Sequence, residues 1–359
     1  MAASQRFAER RQRLRALVSE QVGSRVLLVT HLPNVRYLSG FSGSNAVLVV
    51  GVDADADLLG TDGRYVDQAA AEAPGLPTLI DRDTLTAVLA AVGGGPVAVE
   101  DGMTLADAAA TRSAVGEPIV VSGLVEQLRA VKDADEIEAL ARACAITATA
   151  LEALEAEMAV GVTELLLARR LEQLFGELGA EDRAFDTIVG SGPNSAIPHH
   201  QPGARALQPG DLVVVDAGAR VDGYHADMTR TYLVSADPMP WQAEIHGVVA
   251  AAQAAARDAY VPGASRPELD AVARERIEKA WLGDRFTHGL GHGVGLEIHE
   301  APMIGSRSTG TISADMVITV EPGVYLPGRG GVRIEDTLVV TDAGPRILTE
   351  APRELRVVG

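Results

Sequence analysis

The spacing of apolar positions changes several times along the chain, and each change marks an element. Residues 5–20 place apolar residues among charged ones at helical spacing and read as an amphipathic helix. Short apolar strands then alternate with helical segments: VLLVTH (26–31), AVLVV (46–50), ADLLGT (56–61), RYVDQAAAEA (64–73), PTLIDR (77–82), TLTAVLAAV (84–92), PVAVE (96–100) and a helix near 104–114. That alternation predicts an α/β domain around a largely buried sheet. GFSGSN (40–45) lacks the strand–glycine turn–helix setting of a phosphate loop and reads as a turn.

A long helix opens near Asp133, where Glu136 three residues on completes a capping-box pattern. Ile137, Leu140, Ala141, Cys144, Ala148 and Leu151 then repeat at helical spacing. The domain boundary is placed in 122–132, which gives an α/β domain over 1–124 and an α+β domain over 125–359. Within the second, the order of elements recurs. Helix 133–158 is followed by helix 163–178, capped by Thr163 and stopped by Gly179, then by a strand at 185–192 and a hairpin over 211–234. Helix 240–260 is followed by helix 266–281, begun by Ser265, Pro267 and Glu268, and strands return at 286–300, 315–321 and 332–340. Two helices then strands, twice over, is the mark of an internal duplication. Two such halves facing each other place a site on their shared axis.

Composition narrows the class. The length of 359 residues suits two domains, and 47% apolar residues suffice for ordinary cores. A formal charge of −18 argues against a nucleic-acid or anionic-membrane partner. The single cysteine, Cys144, excludes an internal disulfide framework and a cysteine-based zinc site, and on an apolar helix face it reads as core. MAASQRFAERRQRLRAL is charged throughout, and no apolar run reaches membrane-spanning length. A cytoplasmic enzyme is expected.

The candidate chemistry starts in DLVVVDAGARVDGYHADMTRTYL (211–233), where Asp222-Gly223 is a strong hairpin-turn signal. With those two residues as the loop, Val221 opposes Tyr224 and Asp227 opposes Gly218. Asp216, two residues from Gly218, then shares a face with Asp227. Asp222 reads as a solvated turn acid. Asp216 ends the buried-looking run LVVV, where an unpaired carboxylate is costly. Glu321 ends MVITV in the same way, and Glu335 sits in GVRIEDTLVV, so each half offers two acids on neighbouring strands.

His288 and His292 lie in THGLGHGVGLEIHE, whose glycines rule out a helix. Extended backbone there places His288, Leu290 and His292 on one face. Four carboxylates and one imidazole suit a pair of divalent cations, Mn²⁺ or Co²⁺ first, with Fe²⁺ and Zn²⁺ possible. Two metals ~3.5–4 Å apart could hold a hydroxide, polarise a carbonyl and stabilise a tetrahedral oxyanion, which is hydrolase chemistry. Each residue alone also fits a bland role, but the joint pattern across two repeats is hard to reach by chance. His199 lies in a loop before the first acid strand, and His200 beside it reads as solvated. His299 follows His292 by seven residues, and Arg333 precedes Glu335 by two, where it is either a structural counter-ion or part of the site.

VDAG…YHADMTRT, GLGHGVGLEIHE, VEPGVY and VRIEDT, in this order and spacing, resemble the aminopeptidase P/prolidase/creatinase group of pita-bread metallopeptidases across 125–359. NVRYLSGFSGSNAVLVV and TDGRYVDQA resemble the group's creatinase-type N-terminal domain, and LVEQLRAVKDADEIE its linker. The resemblance, strongest to bacterial cytoplasmic Xaa-Pro peptidases, implies a pita-bread fold with pseudo-two-fold duplication. It also implies roles. Asp216 would bind one metal, Asp227 and Glu335 would bridge both, and His292 and Glu321 would bind the second. Glu321 would also shuttle a proton from the bridging water. His199 and His299 would stabilise the oxyanion or contact substrate, with His288 and Arg333 orienting it.

The implied activity is cleavage before proline at the N-terminus of short proline-containing peptides by a metal-bridging hydroxide. An Xaa-Pro aminopeptidase is expected, with Xaa-Pro dipeptidase (prolidase) as the alternative. Methionine aminopeptidase shares the five ligands but fits the N-terminal domain, Arg333 and His199 poorly. Creatinase or a non-catalytic binding module fits the intact ligand set poorly. A homodimer is implied, with the N-terminal domain helping to bound the entrance.

Overall fold

A computed structural model describes residues 3–24 and 26–359, and the chain divides in it between Arg129 and Ala130. The first unit runs α1 (Ala3–Gln21), β1 (Val26–Val29), α2 (Leu32–Ser39), β2 (Val47–Gly51), β3 (Leu58–Thr61), α3 (Val66–Glu72), β4 (Thr78–Ile80), α4 (Thr84–Val92), β5 (Val97–Glu100), α5 (Leu105–Val115), β6 (Ile119–Val121) and α6 (Leu124–Ala130). Its six strands form one sheet in the order β4-β3-β2-β1-β5-β6, with β1 antiparallel to β2 and parallel to β5. β2 and β5 are buried along their whole length, which is why they read as unbroken apolar runs. Arg11 and Arg15 of α1 each lie 2.7 Å from the buried Asp57 carboxylate.

Three elements of this unit were not read from the sequence: α2, the three-residue β6 and α6. α2 spans only eight residues, too few to display a period, and Pro33 in its first turn looks like a break. It ends at Gly40, whose φ of 84° makes it a left-handed cap. α6 occupies the segment read as a boundary.

The second unit opens on α7 (Ala134–Glu155) and α8 (Glu164–Glu177). Asp133 and Glu136 close the expected capping box, and the Thr163 hydroxyl accepts from Leu166 N. There follow β7 (Asp182–Arg183), β8 (Ile188–Ser191), β9 (Leu212–Ala217), β10 (Ala219–Val221), β11 (Tyr224–His225) and β12 (Met228–Val234). The helix pair recurs as α9 (Pro240–Asp258) and α10 (Arg266–Lys279). After it come β13 (Gly291–Gly293), β14 (Glu300–Ile304), β15 (Val317–Val320), β16 (Gly323–Leu326), β17 (Gly330–Arg333), β18 (Asp336–Val339), β19 (Arg346–Ile347) and β20 (Arg356–Val358).

One half carries the sheet β20-β12-β9-β8 and the other β14-β13-β15-β18-β19. Each helix pair buries its apolar face on the sheet of its own half. Leu151, Leu171 and Phe175 pack with Val213, Val215 and Tyr232, while Val249, Ala256 and Ile277 pack with Ile318, Val320 and Leu338. No helix among the described residues is long and apolar enough to cross a membrane.

The acid hairpin forms in the expected register. Asp222 and Gly223 both have positive φ, 49° and 78°, as the tight turn demands. Val221 pairs with Tyr224 and Ala217 with Met228, so Asp227 faces Gly218 between them. The ribbon is pinched there. A Cβ on Gly218 would lie 1.8 Å from Ala226 O, and the two strands pass from one sheet into another at that point.

Two strand readings need correction. Only Gly291–Gly293 of the glycine-rich segment is a strand, and the chain bends at His288 and Leu290. Leu290 therefore packs in the apolar core and does not share a face with His288 and His292. Residues 332–340 are two strands in different sheets, because the chain changes partner across Ile334-Glu335: β17 pairs with β16, and β18 with β15.

Candidate metal centre

The four acids stand where buried strands begin or end. Asp216 is the penultimate residue of β9, Asp227 precedes β12, Glu321 follows β15 and Glu335 precedes β18. An apolar run anchors each backbone in a ladder, and the acid stands where the chain enters or leaves it. All four line one cavity of about 1250 Å³, together with His292, His199, His288, His299 and Arg333. Every candidate residue is therefore brought to the same wall. His200 is not, and it is not merely solvated, since its Nε2 donates to the buried Glu164 carboxylate at 2.9 Å. Asp222 is exposed, as read, and pairs with Arg142. Cys144 is fully buried, and burial pushes its thiol far up.

Ligand atoms of Asp227, His292 and Glu335 all lie within 4.8 Å of one another. His292 Nε2 is 3.5 Å from Asp227 Oδ2 and 3.4 Å from Glu321 Oε1. Its Nδ1 lies 3.0 Å from Gly293 O, which assigns the proton to Nδ1 and leaves the Nε2 lone pair facing the acids. His299 stacks edge-on against His292 at 4.3 Å between centroids. Arg333 Nη2 donates to Asp216 Oδ2 at 2.5 Å, while Asp216 Oδ1 is buried with no hydrogen-bond partner.

Two supporting residues were missed in the sequence. Thr229 Oγ1 donates to Glu335 Oε2 at 2.7 Å and accepts from Arg333 Nε at 3.0 Å. Its signal was there: Thr229 sits two residues beyond Asp227 and directly across the ladder from Asp216. The Tyr325 hydroxyl lies 2.9 Å from His288 Nε2 and accepts from Arg333 Nη1 at 3.0 Å. Tyr325 closes the motif VEPGVY, but its partners depend on the β16–β17 hairpin, which was not read from the sequence.

The electrostatics are those of four anions crowded around a single counter-charge, Arg333. Burial, then repulsion from the other acids, holds Asp227 and Glu335 well above the carboxylate range. Burial likewise pushes Glu321 up to about 8 and His292 down to about 4. Neutral imidazole with a free lone pair, penalised carboxylates and an orphaned buried oxygen are all satisfied by divalent cations among them. The residues present therefore fit a metal centre.

Comparison with known proteins decides the family. Residues 138–342 match Metallopeptidase family M24, and residues 10–131 match the Creatinase/Prolidase N-terminal domain. The chain belongs to metallopeptidase family M24. M24 membership carries the pita-bread catalytic fold and implies divalent metal ions. Among the family's proteins, a Pyrococcus furiosus Xaa-Pro dipeptidase is 44% identical over 68% of this chain and 70% of its own. The solved Bacillus anthracis Xaa-Pro dipeptidase superposes with a TM-score of 0.94 at 35% identity, covering 98% of this chain and 100% of its own. The X-Pro aminopeptidase of Thermotoga maritima gives 0.86 at 34% identity, covering 95% and 100%.

Proposed function

We propose that this M24 chain is an Xaa-Pro dipeptidase with two metal ions held by Asp216, Asp227, His292, Glu321 and Glu335. The observation that carries the reading is the convergence of these five on one cavity wall, with Asp216 Oδ1 buried and unpartnered. Bound there, two cations, Mn²⁺ by the oxygen-rich donor set, supply Lewis acidity and lower the pKa of water. Asp216, Asp227, His292, Glu321 and Glu335 would hold the cations, with Asp227 and Glu335 offering their carboxylates to both, Asp216 to one and His292 with Glu321 to the other. Glu321 takes the proton from the attacking water and returns it to the leaving prolyl nitrogen. His199 and His299 hold the scissile carbonyl oxygen as charge develops on it. Arg333 fixes the orientation of Asp216 through its 2.5 Å hydrogen bond. Tyr325 ties Arg333 to His288, which faces the substrate.

The aminopeptidase expected first from the sequence gives way here to its dipeptidase alternative. Two of the three relatives described above are named Xaa-Pro dipeptidases. An Xaa-Pro dipeptide carries a free carboxylate next to the scissile bond, and Arg307, exposed on the cavity lining, offers it a cation. A homodimer in the cytoplasm, acting on short proline-containing peptides, completes the proposal, and sedimentation tests the dimer.

The deciding assay offers Mn²⁺-loaded protein an Xaa-Pro dipeptide, an Xaa-Pro-Xaa tripeptide and a Met-Ala-Xaa tripeptide. Cleavage of the dipeptide is expected. Cleavage of the proline tripeptide instead restores the aminopeptidase reading. Cleavage of the methionine peptide alone overturns the proline assignment.

A further inference from the structure

Outside the metal cluster, one buried acid is saturated to an unusual degree. Glu164, the first residue of α8, is 0% exposed. Its Oε1 accepts from Ser191 N at 2.8 Å, Ser191 Oγ at 2.7 Å and Asn194 Nδ2 at 2.9 Å. Its Oε2 accepts from His200 Nε2 at 2.9 Å and Gly203 N at 3.2 Å. Burial pushes this carboxyl up, but the bonds from His200, Asn194 and Ser191 outweigh it and hold it below its ordinary range. The helix N-terminus adds its own favour for the anion.

These donors come from the start, middle and end of a single segment, 191–203, which leaves the end of β8 on the way to the acid strand β9. Glu164 gathers that segment to one point, and the backbone reinforces it: Leu165 N donates to Gly203 O at 3.0 Å and Glu164 N to Arg205 O at 3.1 Å. The opposite side of the segment faces the cavity. Pro198 and His199 line it, and Pro198 O accepts from Arg333 Nη1 at 3.3 Å. His199 and His200 are thus adjacent residues with divided duties, one on the cavity wall and one tied to Glu164 on the far side.

We infer that Glu164 is a positioning residue, which through His200 anchors the 191–203 segment and so holds His199 at the cavity wall. This rests on the role proposed above for His199. Glutamine at 164 would keep one accepting oxygen and turn an amide toward either His200 or Ser191, so part of the anchor would be lost. Leucine at 200 would remove the anchor donor alone, and glutamine there would restore a donor.

The test is kinetic, with metal content as a second readout. On an Xaa-Pro dipeptide, Glu164→Gln and His200→Leu should each lower kcat about tenfold, the scale expected for misplacement of a substrate-contacting group by a fraction of an ångström. KM should change little, and both proteins should hold as much Mn²⁺ per chain as the parent. His200→Gln should recover most of the loss. In a His199→Ala background, His200→Leu should cost nothing further, because the device acts through His199. If the two losses multiply instead, or if His200→Leu empties the metal centre, the positioning role is wrong. If His199→Ala alone leaves kcat unchanged, it is the assignment of His199 that fails, and this inference falls with it. Should Glu164→Gln not fold, the His200 pair and the double variant decide the matter unaided.

Discussion

Glu335 and Asp336 are neighbours in the sequence, both almost completely buried, and they live under opposite electrostatic rules. Asp336 accepts from Arg230 at 2.8 Å, Arg353 at 2.5 Å, Gln253 at 2.6 Å and Thr349 at 3.0 Å. Burial works against its charge, yet those partners, Arg230 foremost, keep its carboxyl below the ordinary range. The Glu335 carboxylate receives the Thr229 hydroxyl and otherwise faces other acids, so it is pushed well above that range. A buried acid whose lone pairs are all spoken for belongs to the scaffold. A buried acid left short of donors, in company with others equally short, is waiting for a cation. On this criterion Glu164 falls with Asp336, and Asp216, Asp227 and Glu321 fall with Glu335.

The sharpest way to break the comparison is to neutralise each neighbour. Glu335→Gln should abolish metal retention and reduce Xaa-Pro hydrolysis by at least ~10³-fold. The metal-free variant should be no less stable than the metal-free parent, since a repelled charge has been removed. Metal per chain and thermal unfolding measure both. Asp336→Asn should instead destabilise the fold itself by about 3–5 kcal/mol, the usual cost of breaking a buried ion pair, with or without metal. Equal effects of the two variants on the metal-free fold would remove the distinction.

His199 stands on the cavity wall but outside the acid cluster. His199→Ala should therefore lower kcat ~10²-fold with metal content intact. Loss of metal from that protein would place His199 among the ligands.

The smallest effect is on pH dependence. Glu321 rises from an ordinary 4.5 in the unfolded chain to about 8 in the metal-free fold. The folded state then holds a proton that the unfolded chain has released, so stability falls as pH rises from 4.5 through 8. Asp227 and Glu335 shift in the same direction. Below about pH 6.5 His292, held down to about 4, works in the opposite sense, so the melting temperature of metal-free protein should decline from pH 6.5 to 8, and saturation with Mn²⁺ should flatten the decline. A metal-free melting temperature that rises instead would show that the acids are compensated by the protein alone.

The site was legible where local rules carry it. Asp222-Gly223 fixes the hairpin register, the register puts Asp216 and Asp227 together, and the repeated helix pair points to a second set of acids facing them. Reading failed where placement is tertiary. The bend at Leu290 goes with its burial in the apolar core of the second helix pair and its sheet, which no alternation of glycines reveals. Thr229, Tyr325 and Glu164 act through partners 8 to 106 positions away in the chain, from Arg333 for Tyr325 to Glu335 for Thr229. Hydrophobic periodicity says where a side chain points and nothing of whom it meets.

The pinch at Gly218 has a consequence for how this protein can change. Asp216 and Asp227 hang from the two arms of one ribbon, and the arms are held apart by main-chain contact, with no room for even a methyl group between them. The interval between those two carboxylates is therefore a backbone dimension. Substitutions that reshape the substrate walls leave it untouched, so selection can retune which peptides enter without recalibrating the distance on which the chemistry depends.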